Sequence, residues 1–490
     1  MASTIVERDI REDLTPAKES CGVEPPLVVD LDRTCVKTDL LLEYLLALLR
    51  KGPRYLFLLP FWLTKGWSQF TLEVVCRASL DVSLLPYRSE FLEYLKRQRA
   101  QGRSIVLATR NDAQLTWQLA DYLMLFGETL SPGNAPDDSQ RECLVRRFGH
   151  KGFDYATSGR SGTAVLRSAR KVVLVHPSRK AEMSAARVAQ VDRIFEPRDQ
   201  RKVNYLTPLR PRHWLKNVLV FAALFAAHRY DDTVLLGNAL VAFLALCCCA
   251  SSGYLFNDLL DLPADRRHPH KRFRPFASGD LPLSYALLLI PLLALLGGMM
   301  GAIVSPLCFA MILAYFGLTV SYSLCLKNVA LLDVLVLAGL YTLRIMVGSA
   351  AVGIWPSPWL VAFSMFLFVS LALIKRYSEL VTIRHIDGQA ARARGYEAGD
   401  AELLAAKGTA SGYIAVLVLA FYITSGPAHT LYSRHQLMWI LCPLLLYWVG
   451  RMWLIAHRGQ MGDDPVLFAT SDRTSLILIL LMFLTAVLAL

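Results

Sequence analysis

The sequence predicts a multidomain protein in which an N-terminal α/β domain precedes an all-α membrane domain of about nine transmembrane helices. Three observations predict this class. The 490-residue chain is 54% hydrophobic, with a mean hydropathy of +0.38, which is too apolar for an ordinary soluble protein. The composition changes sharply near residue 205. After that residue, charged side chains recur mainly between long apolar segments.

The first part, residues 1–200, alternates short strand-like runs with longer polar stretches. The runs are LVVD (27–30), SIVLAT (104–109) and KVVLVH (171–176). This alternation is typical of parallel βα units. The amino terminus is charged and has no apolar core followed by a cleavage site, so we expect this part to stay in the cytoplasm.

The second part, residues 205–490, is predicted to span the membrane. One span needs about 20 apolar residues, and nine such segments centre near residues 220, 245, 292, 312, 339, 366, 418, 445 and 480. With a cytoplasmic N-terminal part, the connections after the even-numbered spans also face inward, and they hold most of the Lys and Arg. The opposite loops hold little beyond Arg229 and Arg434. The positive-inside rule therefore predicts nine spans with the charged clusters on the cytoplasmic face and the carboxyl terminus outside. We expect the membrane to be a bacterial-type inner membrane.

A cluster of acids and bases follows the second predicted span. Asp258, Asp261 and Asp265 are spaced to lie on one side of a helix, although Pro263 would bend it. Three convergent carboxylates repel each other unless a cation lies among them, and oxygen-only ligands favour Mg²⁺ shared with phosphate oxygens. We therefore predict a magnesium site at these aspartates. Four basic residues directly beyond would bind the remaining phosphate charge, namely Arg266, Lys271, Arg272 and Arg274.

A solvated loop that obeys the positive-inside rule is the alternative for this cluster. It accounts for the Lys and Arg residues but not for the aligned aspartates.

The same residues resemble a known family. The run N-D-x-x-D-x-x-x-D (257–265), with R-x-H-P-x-K-x-x-R-P (266–275) and then A-S-G, resembles the first aspartate motif of the UbiA superfamily of intramembrane prenyltransferases. Five further segments are most similar to its decaprenyl-phosphate phosphoribosyltransferase branch. They are RPRHWLKN (210–217), YSLCLK (322–327), LDVLVLAGLYTLR (332–344), LIKRYSEL (373–380) and DDPVLFATSDR (463–473).

The resemblance covers about residues 205–490 and has several implications. It implies a nine-span helical fold, Mg²⁺ as cofactor, phosphoribosyl pyrophosphate as donor and a polyprenyl phosphate lipid as acceptor. It implies catalytic roles for Asn257 and the three aspartates. Substrate-binding roles follow from the similar segments for Lys216, Asn217, Tyr322, Lys327, Asp333, Arg344, Lys375, Arg376, Glu379 and Asp464.

Two transfer reactions fit these motifs. Aromatic prenyltransferases of quinone-type pathways carry a second acidic motif after their sixth span, whereas this chain has LIKRYSELVTIRH (373–385) there, rich in cations with Glu379 as its one acid. A cationic site suits a donor with an extra 5-phosphate, so we favour ribosyl transfer and keep the aromatic acceptor as the alternative. A transporter is the contrasting class, but its polar site would lie near the bilayer midplane. We expect no nucleic-acid partner, and a homo-oligomer stays open.

Several of these residues have structural alternatives. Arg344 follows Asp333 on the same helix face, roughly 16 Å deeper by the helical rise, and an Arg within a span is either functional or tied to a neighbouring helix. Lys375 and Glu379 have the spacing of an ordinary helix salt bridge. Two alternatives stay open for Asp463, Asp464 and Asp472. They either contact the metal or the sugar hydroxyls, or they have no such role.

The N-terminal part resembles a second family. D-x-D-x-T from Asp30, directly after a predicted strand, and a second strand ending in Thr109 resemble motifs one and two of the Rossmann-like haloacid-dehalogenase-like phosphatases. By this resemblance Asp30 would be the nucleophile and Asp32 the acid/base, in a site that needs Mg²⁺ and a Lys.

The remaining motifs of that family are incomplete here. Only Arg141 lies near the position of the expected Lys, and Ser158 and Gly162 occupy the expected metal-ligand positions. Without these groups the attacking carboxylate and the phosphate would repel each other unscreened. We therefore predict a degenerate, regulatory or scaffolding domain. A bifunctional enzyme whose first domain removes the 5-phosphate of the product is the alternative.

One apolar stretch of the first part is too short to span a membrane. YLFLLPFWLTKGW (55–67) is rich in Leu, Phe and Trp and has basic residues on both sides. These properties predict a helix that lies in the membrane interface. A buried cap helix of the soluble domain is the alternative.

Overall fold

The computed structural model describes residues 24–52, 54–108, 113–130, 137–159, 162–196, 204–387, 392–393, 395–462 and 464–490. The chain divides into two compact units. Unit 1 comprises Met1–Val203 together with Arg266–Asp280, and unit 2 comprises Asn204–Asp265 together with Leu281–Leu490. The first break lies beside the composition change near residue 205. Arg266–Asp280 also belongs to unit 1, which the composition of the sequence did not indicate.

Unit 1 contains a six-stranded parallel sheet in the order β3-β2-β1-β4-β5-β6. Every residue of β1, β2 and β4 is buried, as expected of parallel strands covered on both faces. The three strand-like runs are confirmed as β1, β2 and β5. The strands are β1 Leu27–Asp30, β2 Ile105–Ala108, β3 Glu128–Leu130, β4 Asp154–Thr157, β5 Lys171–Val175 and β6 Gln190–Phe195.

Among the described residues of unit 1, eight α-helices accompany this sheet. Helices α2 and α3 are joined at Gly66, whose φ of +99° favours glycine because a Cβ atom would be strained there. Trp62 and Val74 from these two helices belong to the apolar core of unit 1. The helices are α1 Leu40–Lys51, α2 Arg54–Thr64, α3 Trp67–Arg77, α4 Ser89–Ala100, α5 Ala113–Leu123, α6 Asp137–Phe148, α7 Thr163–Ser168 and α8 Arg179–Val188.

Unit 2 is helical. Within the described residues, seven helices are long and apolar enough to cross a membrane. Six of them are α10 Thr233–Leu260, α12 Leu283–Val304, α13 Pro306–Leu324, α14 Leu332–Val352, α15 Pro358–Asp387 and α16 Ala401–Ile423. The seventh is the segment His435–His457, in which the 3₁₀ helix His435–Ile440 continues into α18 Leu441–His457. The shorter helices are α9 Ala222–Ala226, α11 Leu262–Arg267, α17 Gly426–Leu431, α19 Pro465–Ala469 and α20 Arg473–Ala489.

The seven long helices contain seven of the nine predicted span centres. The other two centres lie in shorter segments. Val220 belongs to the 3₁₀ helix Pro211–Phe221, which runs into α9, and Leu480 belongs to the 17-residue α20. The multi-pass helical membrane class is confirmed, and the count of nine spans stays a prediction.

The segment that carries the aspartates is interrupted at the end of α10. Asp261 caps this helix, and α11 begins at the next residue with Pro263 in its first turn, where the missing N–H of proline costs nothing. The Asp265 N–H donates to the Asp261 carbonyl oxygen at 2.8 Å. The predicted bend is therefore a change from one helix to another.

Candidate active site

The first acid–base cluster forms around the end of α10. Arg210 Nη2 lies 2.5 Å from Asp258 Oδ1, and Lys327 Nζ lies 2.6 Å from Asp261 Oδ1. The Asn257 side-chain amide donates to Asp261 Oδ2 at 2.8 Å. Asp258 and Asp265 are both buried. The two cations come from segments that precede α10 and follow α13, so the tertiary fold assembles this cluster.

The residue types of this cluster fit a hard divalent cation, because they offer only carboxylate and amide oxygens. Within the described part of the chain, no group of three or more His, Cys, Asp or Glu side chains converges on a metal position. Arg210 and Lys327 instead balance the charge of Asp258 and Asp261. Asn257, Asp258 and Asp261 are the residues of this cluster that would hold such a cation.

A second cluster joins Lys216 and Asp464, which form a largely buried ion pair. Asp464 Oδ1 also caps α19 and accepts from the backbone N–H groups of Val466 and Leu467 at 3.1 and 3.3 Å. Burial raises the pKa of Asp464, but the charges of Lys216 and Lys375 outweigh it, so the pKa falls to about 2. Asp464 is thus a stable carboxylate near neutral pH.

A third cluster is built on a buried ion pair between Asp333 and Arg376, which expose 0% and 1% of their side chains. Arg376 also donates to Glu379 Oε2 at 2.5 Å and to the Tyr322 hydroxyl at 2.6 Å. The Tyr396 hydroxyl donates to Asp333 Oδ1 at 2.6 Å. Glu379 therefore forms a helix salt bridge with Arg376, at a spacing of three residues.

Arg344 is buried within unit 2 and uses all three of its nitrogens. Its Nε donates to Asn217 Oδ1 at 2.9 Å, Nη1 to the Leu340 carbonyl oxygen at 2.7 Å and Nη2 to the Tyr315 hydroxyl at 2.7 Å. These contacts tie α14 to α13 and to the 3₁₀ helix, as the structural alternative for this Arg requires. Substrate contact by Arg344 and Asn217 stays a prediction.

Two tyrosines connect these groups. The Tyr254 ring lies 5.3 Å from the Arg210 guanidinium and packs against His213 at 5.2 Å. The Tyr341 ring lies 5.7 Å from Lys216 Nζ and 5.1 Å from the Arg344 guanidinium. Aromatic faces attract cations. Because His213 and Lys216 share one 3₁₀ helix, the first two clusters and Arg344 form a continuous polar region of unit 2.

The basic residues after the aspartates belong to unit 1. Arg266 forms two hydrogen bonds with Glu43, at 3.1 and 2.6 Å, and both side chains are buried. Lys271 and Arg274 are partly exposed and flank the exposed Arg272. Arg266 therefore already has a carboxylate partner, whereas Arg272 is open to solvent.

The aspartates of unit 1 lie at the carboxyl end of β1, where the strand order reverses between β1 and β4. Ligands of open parallel sheets bind at such a reversal. The Thr157 hydroxyl donates to Asp30 Oδ2 at 3.4 Å, and the Ser158 N–H donates to Thr34 Oγ1 at 3.0 Å. The predicted Thr109 lies outside the described residues.

The remaining expected positions of this site, those of the lysine and of the further metal ligands, hold neither a lysine nor a carboxylate. Ser158 follows β4, Gly162 precedes α7 and Arg141 is exposed on α6.

The pKa of Asp32 predicts a pH-dependent stability. Burial raises this pKa to about 7, and the charges of Asp30 and Asp39 act in the same direction. The unfolded value is lower, so folding stability is lost as the pH rises from about 4 to about 7. We expect Asp32→Asn to raise the Tm of the full chain in EDTA by several degrees at about pH 8 and by little at about pH 4.

Asp121→Asn, at an exposed position of α5, is the matched control and should leave Tm nearly unchanged at both pH values. If Asp32→Asn changed Tm by the same amount at both pH values, the raised pKa of the Asp32 carboxyl group would be contradicted.

Sequence reasoning missed several residues of these clusters. Arg210 opens the RPRHWLKN segment but was not assigned a role. Tyr254, Tyr341 and Tyr396 gave no separate signal, because an aromatic residue in an apolar helix or a polar loop has the same pattern whether or not it contacts a cation. Their proximity depends on the tertiary fold.

Comparison with known proteins identifies the family. The UbiA prenyltransferase family profile matches residues 218–489. An uncharacterized protein of Sinorhizobium fredii is 34% identical over 458 residues, which cover 92% of this chain and 88% of that protein. The nodulation protein NoeC of Azorhizobium caulinodans is 36% identical over 283 residues, which cover 57% of this chain and 90% of NoeC.

A decaprenyl-phosphate phosphoribosyltransferase of Mycobacterium tuberculosis is 33% identical over 195 residues, 39% of this chain and 64% of that enzyme. Among solved structures, a UbiA homolog from Archaeoglobus fulgidus bound to DMAPP and Mg²⁺ has a TM-score of 0.45 at 18% identity, covering 57% of this chain and 98% of that homolog. The family profile confirms the resemblance that the aspartate motif indicated. The chain belongs to the UbiA prenyltransferase family.

Proposed function

We propose that this protein transfers 5-phosphoribose from phosphoribosyl pyrophosphate to a polyprenyl phosphate, with Mg²⁺, at the cytoplasmic face of a bacterial inner membrane. The observation that carries the proposal is the pairing of acids with cations in unit 2. Asp258, Asp261 and Asp464 each have an Arg or Lys beside them. The similarity to decaprenyl-phosphate phosphoribosyltransferases over 35–39% of the chain supports the same reaction.

The substrates explain why both signs of charge are needed. The donor carries a pyrophosphate and a 5-phosphate, and the lipid carries a further phosphate, so three anionic groups must enter one site. Asp258, Asp261 and Asp265 would hold Mg²⁺, which when bound neutralises negative charge on the leaving pyrophosphate. Arg210 and Lys327 would then donate to phosphate oxygens, and the Lys216–Lys375 pair of cations would face a second phosphate.

The proposed reaction is a substitution at the anomeric carbon. The bond from this carbon to the pyrophosphate oxygen breaks, and its electron pair leaves with pyrophosphate. An oxygen of the lipid phosphate forms the new bond to the same carbon. Positive charge develops on the ribose in between, and Asp464, ionised near neutral pH, is the carboxylate that would accept from the ribose hydroxyls.

The test uses the full chain in membranes with Mg²⁺, radiolabelled phosphoribosyl pyrophosphate and polyprenyl phosphate. We expect label to enter an acid-labile lipid that partitions into organic solvent. If no label moves and a prenyl diphosphate instead prenylates an added aromatic acid, the aromatic prenyltransferase alternative is correct.

Lys327 gives a sharper test of the donor site. We expect Lys327→Met to raise KM for phosphoribosyl pyrophosphate at least about 10-fold, because a charge-assisted hydrogen bond to phosphate is lost. KM for the lipid should change little. Lys407→Met, at an exposed position of α16, is the control and should match the parent. Equal KM changes for both substrates would contradict a donor-specific role.

For unit 1 we propose a haloacid-dehalogenase-like fold without hydrolytic activity. The order of its parallel strands and the position of Asp30 support the fold, and the side chains of Ser158 and Arg141 support the loss of activity. The labelled lipid should therefore keep its 5-phosphate. Mg²⁺-dependent phosphate release by the full chain that disappears in Asp30→Asn would instead make the protein bifunctional.

A further inference from the structure

Helices α2 and α3 of unit 1 expose a large apolar surface. Phe57 exposes 79% of its surface and Trp67 exposes 65%. We define the hairpin face as the six exposed apolar residues of these helices, which are Phe57, Leu58, Phe61, Leu63, Trp67 and Leu72. It is an unusual surface for a protein in water, since contiguous exposed apolar patches mark interaction sites.

The hairpin face is separate from the residues of these helices that pack inside unit 1, where α2 and α3 contact α1 and each other. Trp62, Phe70 and Val74 point the other way and are buried in the core of unit 1. The two helices are therefore apolar on both sides. A helix that only caps a soluble core would carry polar residues on its outer side. Packing within unit 1 explains the inner side and leaves the hairpin face to be explained.

Basic residues outnumber acidic ones in and around α2 and α3. Between residues 50 and 77 the chain has five basic side chains, Arg50, Lys51, Arg54, Lys65 and Arg77, and one acidic side chain, Glu73. Lys65 Nζ lies 4.6 Å from the centre of the Phe61 ring, so a cation lies beside an exposed aromatic anchor. Aromatic side chains bordered by Lys and Arg are typical of segments that bind the interface of a membrane with anionic lipids.

A lipid surface fits this pattern better than a protein partner does. Protein interfaces are depleted in Lys, whereas phospholipid headgroups attract it. The described part of the same chain contains seven helices that are long and apolar enough to cross a membrane, so the chain that carries the hairpin face is itself anchored in a bilayer. With 11 residues, α2 is about 16 Å long, roughly half the thickness of the hydrocarbon core. It can lie in the interface but cannot span it.

We propose that the hairpin face inserts shallowly into an anionic phospholipid surface, with Phe57, Phe61 and Trp67 at the boundary between headgroups and acyl chains. Lys51, Arg54 and Lys65 then contact the headgroups. Unit 1 is thereby a membrane-docked domain in its own right. This proposal is independent of the reaction that unit 2 performs.

The test places a fluorophore on the hairpin face in the full chain. A parent chain with Cys76→Ser and Cys325→Ser removes two exposed thiols, and its residual labelling is subtracted. NBD is attached at Phe61→Cys, and the protein is reconstituted in nanodiscs with or without nitroxide-labelled acyl chains. Met183→Cys is the control, because Met183 is 60% exposed on α8 of the same unit.

We expect blue-shifted NBD emission at position 61 that nitroxide lipids quench at least two-fold, and unshifted, unquenched emission at position 183. Quenching should be stronger in nanodiscs of phosphatidylglycerol than of phosphatidylcholine, and Lys51→Glu with Lys65→Glu should reduce it. Unquenched emission at position 61 would overturn the proposal. A blue shift without quenching would also overturn it and would indicate contact with protein. Equal quenching in both lipids would overturn the role of the basic residues.

Discussion

Asp258→Asn and Asp261→Asn are each expected to reduce phosphoribosyl transfer by at least about 100-fold. Asparagine keeps the shape of aspartate but loses the charge that would hold Mg²⁺ against the pyrophosphate. Each change also leaves a cation, Arg210 or Lys327, without the carboxylate that it contacts in this structure. The measurement is transfer of label from phosphoribosyl pyrophosphate to the lipid under saturating Mg²⁺.

Two controls separate loss of metal from loss of fold. Asp231→Asn changes an exposed acid of unit 2 and should retain full activity. Binding of Mn²⁺, followed by electron paramagnetic resonance, should weaken in both active-site variants while Tm stays within a few degrees of the parent. Full activity in both Asp258→Asn and Asp261→Asn would remove the metal assignment, even if ribosyl transfer itself is observed.

The second large effect concerns the buried ion pair of Asp333 and Arg376. We expect Arg376→Met to destabilise the protein by about 3–5 kcal/mol, because it leaves a buried carboxylate without its charged partner. With an unfolding entropy of about 2.1 cal/mol/K per residue, the Tm of this 490-residue chain should fall by roughly 3–5 °C. The measurement is thermal unfolding of the detergent-solubilised protein. Asp333→Asn should lower Tm by a similar amount, because it leaves the buried Arg376 guanidinium without its charged partner.

An exposed pair provides the comparison. Arg229 and Asp232 lie 3.1 Å apart with 56% and 32% of their side chains exposed, and exposed pairs contribute little. Arg229→Ala should therefore change Tm only slightly. The double variant with Asp333→Asn and Arg376→Met should recover part of the lost stability. If Arg376→Met were as mild as Arg229→Ala, the pair would not stabilise the fold, and the predicted role in substrate binding would gain support.

The sequence was most informative where one physical signal dominates. Buried parallel strands are short apolar runs, and membrane helices are long ones, so β1, β2, β5 and seven spans could be located without tertiary information. The ends of spans were harder to predict. The first and the last predicted span centres lie in the 3₁₀ helix Pro211–Phe221 and in the 17-residue α20, so the bounds of these two spans stay predictions.

For the candidate site, the motif residues could be found but their partners could not. Spacing along one helix predicted that Asp258, Asp261 and Asp265 lie together. It could not predict that Arg210 and Lys327 pair with two of them, because these contacts join distant segments. For Glu379, the spacing of four residues from Lys375 predicted an ordinary helix salt bridge as one alternative, and Arg376, three residues away on the same helix, contacts Glu379 at 2.5 Å.

The division of unit 1 into two stretches of chain has a consequence for how the protein is made. Arg266–Asp280 belongs to this unit, and Arg266 and Glu43 are buried together. Gly279, at a φ of +75°, leaves no room for a Cβ atom, which would lie 2.8 Å from Lys37 Cβ. During synthesis residues 1–203 leave the ribosome first, yet the last piece of their fold follows only after α10 has been translated. The N-terminal unit therefore completes its folding after membrane insertion has begun.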